Sequence, residues 1–228
     1  MSQPGGATRR SLERGRVLFL MALLGGCQLP PNPALRDWTS LASIAVDQAT
    51  MAAPGMDARI AISEALSIHF FALGVLADGA PLTFHEDAYA GVAPLAATDL
   101  ASAVAIARLG NLLAIARDDA PPRWLSDDVR SPRPAYEDRR LSNLLREADG
   151  AVQRLLGALA QGATPEARQV LLRLGEGHAL MARTARHLGQ QGTLRQVRAM
   201  EALLRRAMAT LPSAPEARRE RLAAVLLP

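Results

Sequence analysis

The chain contains no lysine: all 26 of its basic side chains are arginine. Together with abundant alanine, this bias points to a GC-rich genome and not to a function. Cysteine is almost as scarce, with one in 228 residues, at position 27. A domain with no second thiol forms no internal disulfide and no thiolate metal site, even in an oxidising compartment, so its stability must come from packing. The same count excludes a haem attached through Cys-x-x-Cys-His. Missing too are the G-x-S-x-G nucleophile elbow, the H-E-x-x-H zinc motif and a glycine-rich phosphate loop after a strand. The chain therefore reads as a non-enzyme. Convincing period-two alternation is absent and no exact repeat is visible, which leaves helices as the expected building material. A nucleic-acid partner is not expected either. The formal charge is +4, but residues 1 to 26 carry four arginines and one glutamate, leaving the rest of the chain near +1.

What the chain does have is a distinctive start. Arg9, Arg10, Arg14 and Arg16 precede the apolar run from Val17 to Leu24, which is followed by Gly25, Gly26 and Cys27. Eight apolar residues are too few for a bilayer, which needs about 20, but they suit the core of a secretory signal behind a positive flank. LLGGC resembles the bacterial lipoprotein signal: Leu24 stands at the bulky apolar position, Gly25 and Gly26 at the small ones and Cys27 at the invariant cysteine. The resemblance covers only the first 27 residues. It implies cleavage before Cys27, diacylglycerol on its thiol and an acyl group such as palmitate on its freed amine. Several such chains make a firm membrane anchor, at about 0.8 kcal/mol per buried CH₂. Gln28 follows where an aspartate often retains such proteins at the inner membrane. The resemblance thus implies a periplasm-facing lipoprotein of the cell envelope, at the outer membrane.

Beyond the cleavable segment 1–26, the proline-rich stretch 27–34 reads as a tether and 35–228 as one helical domain. Leu35, Trp38, Leu41, Ala42 and Ala45 recur at helical spacing. Ile62, Leu66, Phe70, Leu73 and Ala77 define a second helix, widened by Ile68, Phe71, Val75 and Leu76, which should be central. A connector from Leu82 to Pro94 precedes a third helix, resuming at Leu95, whose seam is Leu100, Val104, Leu109, Leu112, Leu113 and Ala116. The proline-rich stretch 121–136 is the expected hinge between halves 35–120 and 137–228, with Trp124 and Leu125 available to pin it to the core. The clearest seam follows, with Leu141, Leu145, Ala148, Val152, Leu155 and Leu159. Thr164-Pro165-Glu166 opens a helix that carries Leu171, Leu174, His178, Met181, Ala185 and Leu188. Val197, Met200, Leu204, Met208 and Leu211 mark another, and Ser213 starts a short last one. The expected fold is all-α, an antiparallel bundle of five to seven helices.

Charge is uneven along this bundle. Cys27 to Pro122 holds four arginines and ten acids, whereas Arg123 to Pro228 holds eighteen arginines and eleven acids. Arg195, Arg198, Arg205 and Arg206 share one broad side of the helix around Met200, a face suited to an acidic protein partner in the envelope. Its competitor is neutralisation by acids of the first half.

Few residues invite chemistry. His178 occupies a seam position in a helix where Gly175 and Gly177 allow close approach of a backbone or ligand. His69 borders the stripe of the second helix. Each reads most simply as a core histidine. A helical bundle that binds a metal, cofactor or small ligand near His178 or His69 is the alternative, although a metal needs three or four ligands and no cofactor is expected. His85, Glu86 and Asp87 gather in the connector, His85 as a further candidate metal ligand, and an enzyme of unknown class would use that loop. Its acids read more simply as helix caps. The function expected overall is a membrane-anchored helical interaction or scaffold module.

Overall fold

The computed structural model describes residues 32–51, 57–83, 87–96, 99–119, 123–125 and 135–211. The signal, the lipobox, the tether as far as residue 31 and the expected last helix from Ser213 lie outside the described residues, whereas Pro33 and Ala34, expected in the tether, already belong to the first helix.

Local signals set the helix ends. α1 spans Pro33–Met51 and α2 Asp57–Ala77. Past α2, Gly79 takes φ 70°, which lets its amide bond the Leu76 carbonyl and that of Ala80 bond Val75. The amide of Asn32, just before α1, bonds the carbonyl of Ala77 at 3.1 Å, pairing the start of one helix with the end of the other. The connector holds a short helix, α3 (Asp87–Val92), and a 3₁₀ turn over Ala93–Ala96. α4 (Leu100–Asp118) begins only at its cap, where the Asp99 carboxylate accepts from the Ala101 amide and the Ser102 hydroxyl. The expected start at Leu95 is thus corrected by five residues.

α5 (Arg139–Ala160) is capped by Asp138, which also pairs with the buried Arg140 at 3.0 Å. α6 (Pro165–Arg183) starts where expected, with the Thr164 hydroxyl accepting from Ala167. It stops before the expected Leu188, because Thr184 bonds back to Leu180 and the chain tightens into a 3₁₀ turn over Ala185–His187. α7 runs over Gln191–Met208. Within the expected hinge the backbone forms a small antiparallel ladder, β1 (Arg123–Leu125) with β2 (Ala135–Glu137), Trp124 opposite Tyr136. Three residues per strand are too few to show as alternation in a sequence. The side chains of Trp124 and Leu125 lie outside the described residues.

The fold is an all-α antiparallel bundle, with seven helices among the described residues. α1 packs on α2, α6 and α7, and α2 packs on α1, α4 and α5. The acidic first half and the basic second half therefore interdigitate. α2 is long and apolar enough to cross a membrane, but 78% of its apolar window is buried within the bundle, as befits a core helix. Its register on α1 is fixed by charge as well as shape, since buried Asp47 accepts from the hydroxyls of Ser67 at 3.0 Å and Ser63 at 3.4 Å.

Candidate functional site

The two histidines on separate seams meet in the core. His69 of α2 and His178 of α6 are fully buried, and their Nε2 atoms lie 3.3 Å apart. α5 supplies the third member: Asp149 Oδ1 is 2.8 Å from His178 Nδ1, and the carboxylate remains partly exposed. Gln153, one turn further along α5, donates to the same oxygen at 3.1 Å and to the Gly175 carbonyl at 2.9 Å.

A carboxylate only accepts, so His178 donates to Asp149 from Nδ1. His69 Nδ1 is buried without a hydrogen-bond partner, which costs about 1–3 kcal/mol. Burial first, and the neighbouring His178 ring second, hold the His69 imidazole well below the ordinary histidine range. The hydrogen bond from His178 holds Asp149 below the usual carboxylate range, against the opposing effect of burial. The arrangement is a carboxylate at the surface connected through one imidazole to a second, neutral one in the core.

Aromatic rings wall it in. Phe70 meets Trp38 edge-on at 5.6 Å and His178 at 6.1 Å between ring centres. The space left by the glycines of α6 is filled from within: a Cβ on Gly177 would lie 2.5 Å from Trp38 Cζ2, and one on Gly175 would lie 2.8 Å from Gln153 Oε1. Among the described residues, no three His, Cys, Asp or Glu side chains gather as a metal would require. Asp87 opens α3, whereas His85 and Glu86 lie outside the described residues. Nothing in the sequence singles out Asp149, which follows the seam residue Ala148 without breaking the period.

Two surfaces complete the inventory. On α7, Arg198 bonds Asp37 of α1 at 2.8 Å and Glu201 at 2.9 Å, and Arg205 bonds Glu201 at 2.9 Å. Half of the expected arginine face is thus engaged within the molecule, while Arg195 and Arg206 are exposed. On α4 the expected seam is corrected. Leu109, Leu113 and Ala116 are buried as expected, but Leu100 is 76% exposed and Val104 61%, with Ser102, Ala105 and Ile106 buried in their place. Ile115 is 64% and Leu95 52% exposed, so four of the seven large exposed apolar residues among the described residues fall between positions 95 and 115. By length and composition α4 could also cross a membrane, yet only 33% of its apolar window is covered by the bundle. No protein-family model matches the chain, and neither a curated protein nor a solved structure does.

Proposed function

We propose that the chain is a non-catalytic docking module of the bacterial envelope, tethered by lipid at Cys27, that binds a protein partner through the outer face of α4. The observation that carries the docking half is the apolar row of Leu100, Val104 and Ile115 on an otherwise well-covered bundle. Such rows on soluble domains mark contact surfaces, and covering one large aliphatic side chain contributes about 1.5–3 kcal/mol. Arg108 and Asn111 on the same side would give a protein partner polar points of register. The tether half is supported by the order of basic, apolar and LLGGC segments at the N-terminus.

Each half has its own test. Mass spectrometry of the mature N-terminus should find a lipid-modified Cys27, and an intact Met1 or an unmodified end beyond Cys27 would refute the anchor. Affinity purification from native membranes should recover a specific partner with the wild type and lose it with Val104→Glu/Ile115→Glu. An unchanged partner set in that variant refutes docking through α4. The meeting of His69 and His178 favours one second function, a metal or cofactor held in the bundle. Stoichiometric metal or chromophore in protein from its native host, lost in His178→Ala, would establish it.

A further inference from the structure

A groove of about 440 Å³ runs between the first half of α1 and the last half of α2. That is near the lower end of the roughly 300–1,000 Å³ typical of small-ligand sites. Its apolar wall is built by Ile44, Phe70, Phe71 and Val75. The helices pack tightly at Gly74, where an added Cβ would lie 3.0 Å from the Thr39 hydroxyl. Ile44 and Phe71 remain only partly covered.

One end of the groove is charged, in both signs. Arg36 uses Nε and Nη2 on Asp37, at 3.0 and 2.8 Å, and Arg198 takes the other Asp37 oxygen. Arg36 Nη1 stands 3.7 Å from Asp78 Oδ1, too far for a hydrogen bond. The Asp78 amide donates to the Gly74 carbonyl at 3.1 Å, but its carboxylate makes no hydrogen bond among the described residues. Partial burial raises its carboxyl above the usual range, so a cation beside it would be welcome. A donor and an acceptor with unused capacity therefore sit side by side at the mouth of an apolar slot. The chain enters here too, because Asn32 bonds Ala77 next to Asp78. Cys27 precedes Asn32 by five residues, a span of at most about 17 Å.

We infer that this groove binds a zwitterionic lysophospholipid, its single acyl chain along Phe71 and Ile44, its ammonium on Asp78 and its phosphate on Arg36. The volume admits one chain and the paired charges of the mouth complement a head group that is itself a pair. The inference rests on the envelope reading only for the supply of lipid; the groove and its chemistry stand without the anchor.

The test uses the full chain purified from its host in amphipol, titrated with fluorescent lysophosphatidylethanolamine. Binding should saturate at one per chain, with lysophosphatidylglycerol and two-chain phosphatidylethanolamine at least tenfold weaker. Phe71→Ser should weaken every single-chain lipid at least tenfold, whereas Asp78→Asn should remove the preference for the zwitterionic head and leave chain binding in place. Thermal unfolding of both variants checks that they fold. Absence of saturable binding, equal affinity for the two-chain lipid, or a folded Phe71→Ser chain that binds like the wild type would each overturn the inference. The N-terminal mass, read on the same preparation, tells failure of the groove from failure of the anchor.

Discussion

Acid should weaken this bundle through one residue, His69. Its imidazole is fully buried and held well below the ordinary value of 6.5 by burial and by the His178 ring. In the unfolded chain the same imidazole titrates near that ordinary value. As pH falls below 6.5 the unfolded state takes up a proton that the folded state refuses, so stability declines with falling pH. The loss approaches about 1.4 kcal/mol per pH unit while the folded group stays neutral. Between pH 7.5 and 5.5 it sums to about 1.4 kcal/mol, because the upper half of that interval lies above the unfolded titration. Asp149 does not share this window, since its carboxyl is shifted down from 3.8 and its contribution is lost only at lower pH. Urea unfolding at the two pH values compares wild type with His69→Leu, in which His85 and His187 are common and cancel, and the same pair of measurements in a His178→Gln background removes the contribution of the neighbouring ring. The wild type should lose about 1.4 kcal/mol more than the variant on acidification. Equal losses in the two chains would refute the assignment of a neutral, proton-refusing His69.

Packing and caps give further tests by thermal or urea unfolding. Gly177→Ala drives a methyl to 2.5 Å from Trp38 Cζ2 and should cost about 1–3 kcal/mol; no change would mean that the indole is not where described. Asp138→Ala removes the α5 cap and strands the buried Arg140 guanidinium, for a loss of about 3–5 kcal/mol. Arg198→Gln breaks the link to Asp37 at a half-exposed site and should cost less than about 1 kcal/mol. A larger loss there would make the α7 arginines structural and remove them as a contact face.

How far the sequence reaches depends on how one-sided each helix is. In α5 every seam position from Leu141 to Leu159 is buried, because polar residues fill its other side and leave a single solution. α4 is apolar nearly all round, so its period does not say which side faces in, and the seam it suggests includes Leu100 and Val104, which lie on the surface. The ends of α4 and α6 are set by the side chains of Asp99 and Thr184, whose local bonds outweigh a continuing apolar pattern. The histidine pair is illegible for a different reason. His69 and His178 are 109 residues apart, and their meeting is a consequence of α2, α5 and α6 sharing one core. Gly175 and Gly177 did signal close approach, but the approaching groups are Gln153 and Trp38 of this chain.

The tethered docking face stands or falls most directly on photo-crosslinking in intact cells from a benzoyl-phenylalanine placed at Leu100, in wild-type, Ile115→Glu and Cys27→Ser backgrounds. One discrete crosslinked protein is expected in the wild type, lost when the α4 face is charged and lost again when the anchor is removed. A product that persists in both altered backgrounds, or none in the wild type, would contradict tethered docking.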